Sequence, residues 1–187
     1  MTGGEGYNEK QLLGLIHSGD RAALRLLYDS YSGIMAAVCA RYIVSEDDRK
    51  DVLQECFIKI FKSVAHFEYR GEGSLRSWLV RITVNESLRF LKNNAANDLL
   101  VRDAELPDVV EEPEVDGISD DLINEFILSM PPGYRAVFNL YVFERKSHKE
   151  IAALLGIGES TSASQFSRAK AYLAKRINDY KSAHKND

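Results

Sequence analysis

Three polar residues, Arg81, Asn85 and Arg89, recur at intervals of four along the chain. Residues four apart lie one above another on a helix, so this spacing places two guanidinium groups and an amide on one face. Guanidinium groups bind phosphate and an amide can pair with a base edge, which is the chemistry of nucleic-acid binding. Lys92 extends the basic edge. A solvated polar face is the alternative interpretation of this pattern.

A loop with two glycines, "YRGEGS" at residues 69–74, comes directly before that helix. Glycine lets the backbone approach a base closely, and the ring of Tyr69 offers a stacking surface. The loop and the helix face together are therefore a candidate site for contact with a nucleic-acid base. Trp78 lies among Leu75, Leu79 and Ile82, and we assign it to the core rather than to this site.

A second candidate site for nucleic acid lies near the carboxyl end. Ser147 and Glu150 have the spacing of a capping box, Gly156 is placed to end the helix that they begin, and another helix begins within a few residues. The exposed face of this second helix is short and polar from Ser160 and becomes basic from Arg168. Small residues can enter a groove while basic ones meet phosphate, so the pattern predicts a DNA-binding helix-turn-helix. An ordinary helical hairpin is the alternative.

The rest of the sequence also predicts helices. Asn8 with Gln11 forms a capping box, Asp20 and Ser45 cap the next two helices, and Ser74 caps a helix that ends near Lys92. The Ser45 helix extends to about residue 67, and further helices are predicted at 119–130 and from 134 to about 143. Two apolar stripes, which include Tyr28, Phe57 and Phe61, are interpreted as core. The predicted fold is all-α, with two small helical domains at 1–94 and 119–187.

The acidic residues are concentrated between these domains. The 187-residue chain has a net charge of −4. Residues 1–94 carry 13 basic and 12 acidic side chains. Residues 95–121 carry one basic and ten acidic side chains, and residues 122–187 carry ten basic and six acidic side chains. The middle segment also contains prolines and no periodicity that could bury a face, so residues 95–118 are predicted to be a flexible acidic linker. The acidic total therefore does not argue against nucleic-acid binding.

Several classes of protein are excluded. The longest apolar run, residues 34–40, is too short to span a bilayer, and no export signal is visible, so we expect a cytoplasmic protein without membrane insertion. Cys39 and Cys56 lie within apolar helical patterns and are expected to be buried and reduced. The four histidines show no zinc-ligand spacing, and no nucleophile and base or phosphate-binding glycine loop appears. We expect no metal, no cofactor and no enzymatic activity.

The motifs "DVLQECF" and "YRGEGSLRSWLVRI", followed by Asn85, resemble region 2 of the extracytoplasmic-function (ECF) sigma factors. Residues 130–177 resemble region 4 of the same family, and together the two segments occupy most of the chain outside the linker. The family is the minimal two-domain class of sigma-70-type bacterial initiation factors. The resemblance implies a factor that takes core RNA polymerase to promoters, recognises a minus-35 element and melts a minus-10 element.

The resemblance also implies a role for individual residues. The residues implied in binding core polymerase lie on one acidic helix: Asp48, Asp51, Gln54, Glu55 and Phe57. Those implied in contacting minus-10 DNA lie on the glycine loop and the helix after it: Tyr69, Arg70, Gly71, Arg81, Asn85, Arg89 and Lys92. Those implied in contacting minus-35 DNA lie on the helix-turn-helix: Ser147, Lys149, Ser160, Thr161, Ser164, Gln165, Arg168 and Lys170. The implied partners are the clamp and flap of core RNA polymerase, promoter DNA and an anti-sigma factor.

The chain departs from the family at two positions of region 4. Many members carry Lys or Arg where this chain has Ala163, and a Ser or Thr cap where it has Gly158. The minus-35 helix therefore lacks charge at its amino-terminal half. Two other functions compete: a repressor or activator with a helix-turn-helix, for which no dimer seam is evident, and a polymerase-binding decoy, which would lack the base pocket.

Overall fold

In the computed structural model, residues 8–94 and 118–184 are described, and no strand occurs among them. The first segment contains α1 (Glu9–His17), α2 (Arg21–Ala40), α3 (Glu46–Ser63), a single 3-10 turn (Val64–His66) and α4 (Ser74–Asn94). The second contains α5 (Asp120–Leu128), α6 (Pro132–Val142), α7 (His148–Leu155) and α8 (Glu159–Ala183). The all-α prediction is confirmed.

The chain forms two compact units, residues 1–87 and 88–187, so the division falls within α4. The expected domain boundary at residue 94 and the division of roles between the two domains stay predictions. The predicted linker, residues 95–118, lies almost entirely outside the described residues.

Local capping sets most of the helix starts in the first unit. Asn8 and Gln11 form the predicted reciprocal capping box, the Asp20 carboxylate accepts from the Ala22 N–H at 2.9 Å, and the Ser45 hydroxyl accepts from the Asp48 N–H. α1 and α3 both pack on α2. The buried faces of α1, α2, α3 and α4 supply a core that includes Leu13, Leu27, Met35, Cys39, Cys56, Ile60, Leu75 and Leu79.

The predicted cap of α4 is wrong. Ser74 is the first residue of the helix, and its hydroxyl accepts from the Arg70 N–H at 3.3 Å rather than capping the first turn. The first-turn donors, the N–H groups of Leu75 and Arg76, bind the carboxylate of Glu9 on α1 instead. The cap comes from a residue distant in sequence, so no local pattern could reveal it.

In the second unit, α8 packs on α5, α6 and α7. The core of this unit includes an apolar cluster of five residues: Ile127, Met130, Tyr134, Phe138 and Ala169. The guanidinium of Arg135 is buried and donates to the carbonyls of Leu128 and Met130 at 2.7 and 3.0 Å, which satisfies the carboxyl end of α5 and the residue that follows. These contacts fix the helices from which the helix-turn-helix projects.

Candidate functional site

A cleft of about 860 Å³ opens beside the glycine loop and the first two turns of α4. Its lining includes Phe67, Arg70, Trp78 and Arg81. The rings of Phe67 and Trp78 lie 5.0 Å apart between centroids, at an angle of 42°. Trp78 is only partly buried, so it combines the predicted packing role with an aromatic surface in the cleft. The cleft therefore offers an aromatic wall and two guanidinium groups.

Two glycines give the loop its shape. Gly71 and Gly73 have φ angles of 121° and 82°, a region that other residues rarely adopt. The Ser74 N–H donates to the Gly71 carbonyl at 3.1 Å, which closes the turn. The Tyr69 hydroxyl donates to the Glu72 carboxylate at 3.3 Å, and Tyr69 is half-buried. The loop thus forms a hydrogen-bonded turn beside the cleft; Arg70 and Ser74 belong to the lining of the cleft, and Tyr69 and Gly71 do not.

The predicted polar row runs along α4 away from the cleft. Arg81, Asn85, Arg89 and Lys92 are all exposed, and of these Arg81 lines the cleft. Asn85 lies one turn beyond it. The structure therefore brings Arg70 and Arg81 to one cleft and places Asn85, Arg89 and Lys92 on the continuing helix surface.

A partly buried ion pair helps to set the rotation of α4 about its axis. Lys59 of α3 donates to the carboxylate of Glu86, which is buried next to the exposed Asn85. Thr83 and Ser87 are buried as well, and their hydroxyls donate to the carbonyls of Leu79 and Thr83 within the helix. With these residues facing inward, the row that contains Asn85 must face solvent.

The residues implied in polymerase binding lie on one side of α3. Asp51, Gln54 and Glu55 are exposed and Asp48 is half-buried. Lys50 bridges the carboxylates of Glu46 and Asp47 at 3.1 and 3.3 Å in the first turn, and its hydrogen bond and then its charge lower the pKa of Glu46. Acidic side chains at this end of a helix are also favoured by the helix dipole. The acidic face is thus carried by a well-capped helix.

An apolar groove of about 600 Å³ lies between α2 and α3, next to that acidic face. Tyr28 and Phe61 line it and are 45% and 40% exposed, so the prediction that both belong to the core is wrong. Phe57 is only 8% exposed and lies under them, with ring centroids 4.6 Å from Tyr28 and 5.7 Å from Phe61. Phe57 supports the two rings from below and also lines the groove, so its expected role in binding core polymerase stays a prediction.

The helix-turn-helix has the predicted turn. Ser147 and Glu150 form the reciprocal capping box of α7, and Gly156 ends that helix with φ 71° and ψ 35°. The imidazole Nδ1 of His148 lies 3.0 Å from the buried Ser162 hydroxyl on α8. The ring of Tyr141, on α6, lies 4.9 Å from that of His148 and 4.2 Å from that of Phe166. Side chains of three helices thus hold the turn.

The amino-terminal half of α8 exposes most, but not all, of the predicted DNA-contacting residues. Ser160 and Ser164 are exposed and Thr161 is half-buried. Gln165 is only 3% exposed, because it shares the inward face of α8 with Ser162 and Ala169. Its predicted contact with a base edge stays a prediction, and the burial of this side chain in the free chain argues against it. The burial of Ser162 and Gln165 could not be read from hydropathy, since both are polar.

The remaining predicted residues lie around this helix. Ser147 and Lys149 are exposed at the start of α7, and the Ser147 hydroxyl is engaged in the capping box. On α8, Arg168 is half-buried and Lys170 is exposed, with its ammonium 5.5 Å from the centre of the Phe166 ring. The basic groups thus follow the exposed hydroxyls along the helix.

Within the described residues, no three His, Cys, Asp or Glu side chains are grouped so that they could hold a metal ion. No helix in the same ranges is long and apolar enough to cross a membrane.

Comparison with known proteins gives two family matches. Residues 27–97 match the family described as Sigma-70 region 2, and residues 120–173 match Sigma-70, region 4. The chain is 31% identical over 186 residues to an ECF RNA polymerase sigma-E factor of Haemophilus influenzae, covering 92% of this chain and 97% of that protein. It is 27% identical over 183 residues to RNA polymerase sigma-H factor of Pseudomonas aeruginosa, covering 90% and 93%.

A solved structure of CnrH in complex with the cytosolic domain of CnrY is also similar, with a TM-score of 0.49 and 21% identity over 90% of this chain and 96% of that one. The sequence matches cover both helical units in the order that the motifs predicted. On these matches, the chain belongs to the sigma-70 family and, within it, to the ECF sigma factors.

Proposed function

We propose that this chain directs core RNA polymerase to promoters with two elements, and that region 2 opens the minus-10 element. The observation that carries the proposal is the exposed row on α4, which begins at a cleft with an aromatic wall and two guanidinium groups. An unpaired base can stack on an aromatic ring, while guanidinium groups hold the adjacent phosphates. The role is regulatory and implies action in the cytoplasm.

Region 2 has two surfaces with different chemistry, which favours a factor that bridges two partners. The acidic side of α3, with Asp51, Gln54 and Glu55, suits a basic protein surface. The adjoining groove, lined by Tyr28 and Phe61, offers apolar contact to the same partner. We assign this combined area to the polymerase clamp, and the α4 row and cleft to DNA.

Region 4 is assigned to the minus-35 element and to the flap of the polymerase. The hydroxyls of Ser160, Thr161 and Ser164 can reach base edges. Arg168 and Lys170 can bind phosphates. Gly158, at the N-cap of α8, has no side chain with which to cap the first turn, so the N–H groups there are suited to a phosphate. An anti-sigma partner stays a prediction from the family resemblance.

The proposal is tested by transcription from a promoter library with purified core polymerase. A transcript that depends on both the factor and the promoter is expected. Binding of core without any promoter-dependent transcript would instead favour the decoy, and promoter binding without core would favour a stand-alone regulator.

The minus-10 assignment is tested by Asn85→Ala. We expect the closed complex to form normally and promoter opening to fall roughly ten-fold, the size of losing one specific base contact. Permanganate reactivity of unpaired thymines measures the opening. Asn94→Ala, at an exposed position of the same helix about half a turn around from Asn85, is the matched control and should open promoters normally. Normal opening by Asn85→Ala would remove Asn85 from the site.

A further inference from the structure

The amino-terminal end of α4 is capped by a carboxylate from another helix. Oε2 of Glu9 accepts from the Leu75 N–H at 3.0 Å, and Oε1 accepts from the Arg76 N–H at 2.9 Å. Glu9 is only 5% exposed. First-turn N–H groups have no carbonyl partner within their own helix, and a negative charge is favoured there by the helix dipole. Glu9 therefore satisfies two donors and supplies the charge.

These two bonds also fix the end of the glycine loop. The loop passes directly into α4 at Ser74. The Ser74 hydroxyl accepts from the backbone N–H of Arg70, and the Ser74 N–H donates to the carbonyl of Gly71. The hydrogen bonds of Ser74 thus close the loop locally. Glu9 then connects Leu75 and Arg76, the next two residues of the chain, to α1. Because Gly71 and Gly73 allow many backbone angles, the loop needs such an external fixed point.

Glu9 is itself held on two sides. It lies in the first turn of α1, where Leu12, Leu13 and Ile16 are buried in the core. The Tyr31 hydroxyl of α2 lies 3.4 Å from Glu9 Oε1 as a donor. Burial, together with the Glu9 charge, raises the pKa of Tyr31 to about 12, so this hydroxyl stays protonated at neutral pH. Contacts within α1 and with α2 therefore fix the position of the Glu9 carboxylate.

We infer that Glu9 is a positioning residue for the minus-10 site: its carboxylate holds the loop at 69–74 and the first turn of α4 in the geometry that captures a base. This inference rests on the proposed function of the cleft. Glu9 lies outside the matched region 2 segment, residues 27–97. Its effect on DNA passes through the Leu75 and Arg76 N–H groups, since Glu9 is buried.

The test uses Glu9→Gln in the full-length chain. The amide has nearly the same size but no charge, and its NH₂ group cannot accept from a first-turn N–H, so one of the two bonds is lost. Trp78 is the single tryptophan of the chain and lies in the cleft, one turn beyond Leu75. Its quenching by acrylamide reports local loosening without polymerase or DNA, and we expect Glu9→Gln to raise it.

Asp20→Ala is the matched control. Asp20 caps α2 through the Ala22 N–H, so its loss also removes a helix cap, but at a helix that does not begin at the loop. We expect this variant to lower the thermal midpoint while leaving Trp78 quenching unchanged. Glu9→Asp keeps the charge on a shorter side chain and should recover part of the lost function. It also serves as the test variant if Glu9→Gln does not fold.

Promoter opening is then measured at saturating core polymerase. We expect Glu9→Gln to bind core normally and open the promoter roughly ten-fold more slowly, in keeping with a buried donor left unsatisfied. On a promoter already melted at minus-10, part of the defect should remain, because base capture is still needed.

The possible results separate the positioning role of Glu9 from the proposed minus-10 function of the cleft. Unchanged Trp78 quenching in Glu9→Gln overturns the positioning role. Raised quenching with normal opening, while Asn85→Ala opens slowly, overturns it as well. If both variants open normally, the minus-10 assignment of the cleft fails, whereas raised quenching still supports the role of Glu9 in holding the loop.

Discussion

At the scale of single residues, the exposure of a side chain separates the predictions that the structure supports from those that it argues against. Cys39 and Cys56 are buried as expected, and Asn85 is exposed as expected. Phe57 and Gln165 were predicted to touch partners and are buried. The sequence placed both residues in the right helices. It could not reveal the rotation of those helices, which depends on partners elsewhere in the fold.

The two cysteines give a prediction at this scale. Burial raises the pKa of both thiols, and that of Cys56 reaches about 12. Since the thiolate is the reactive form, a rise from about 9 to about 12 lowers its fraction at neutral pH roughly 1,000-fold. We expect an aromatic disulfide reagent to label neither thiol in the native protein and both in denaturant. Rapid labelling of native protein would contradict this.

The same shifts give a dependence of stability on pH. A thiol whose pKa is higher in the folded state than in the unfolded state contributes stability that is fully present below the unfolded pKa, near 9. That contribution is lost as the pH rises towards 12, where Cys56 ionises in the folded state. Tyr31, with its pKa near 12, acts in the same direction above pH 10. The free energy of unfolding should therefore fall from pH 9 to 12.

At the scale of helices, caps made from neighbouring residues were predictable and caps from distant residues were not. The boxes at Asn8 and Ser147 were both correct because donor and acceptor lie three residues apart. The start of α4 depends on Glu9, more than sixty residues earlier. Sequence periodicity likewise found α2 and α3 but could not tell that Tyr28 and Phe61 face a groove.

The acidic face of α3 gives a prediction at the scale of helices. Asp51→Lys with Glu55→Lys should weaken binding to core polymerase by roughly several-fold to 100-fold, because like charges then face a basic partner. Titration with labelled core measures the affinity. Glu125→Lys with Asp179→Lys, at exposed positions of α5 and α8, changes the net charge equally and should leave core affinity much closer to that of the parent. Equal losses in both pairs would mean that only net charge matters.

The missing charge on α8 gives another prediction at this scale. Ala163 is exposed between Ser160 and Ser164. Ala163→Lys should add one phosphate contact and steepen the plot of log affinity against log salt by about one unit. Fluorescence anisotropy of a minus-35 duplex with the full-length factor gives the slope. Asn178→Lys, exposed near the other end of α8, is the control. An identical slope in parent and Ala163→Lys would show that this position does not meet phosphate.

At the scale of the whole molecule, the separation of charge is the main feature. Residues 95–121 have a net charge of −9, whereas the rest of the chain has a net charge of +5. Most of this acidic segment lies outside the described residues. An acidic segment in the same chain competes with DNA for basic groups, and salt weakens that competition.

Replacing Glu111, Glu112 and Glu114 with Gln tests this competition. We expect the full-length variant to bind promoter DNA more tightly than the parent at low salt, with the difference shrinking at high salt. Electrophoretic mobility shifts across a salt series measure it. A gain of equal size at every salt concentration would point to a cause other than charge.

The packing of Tyr141, His148 and Phe166 has a thermodynamic consequence. These rings, with the bond from His148 to Ser162, join α6, α7 and α8 in the free chain. A motif that is already assembled loses little conformational entropy when it binds, and it buries little further apolar surface. Association of region 4 with DNA should therefore have a small heat-capacity change, set by the contact area alone, and should differ in this from segments that fold as they bind.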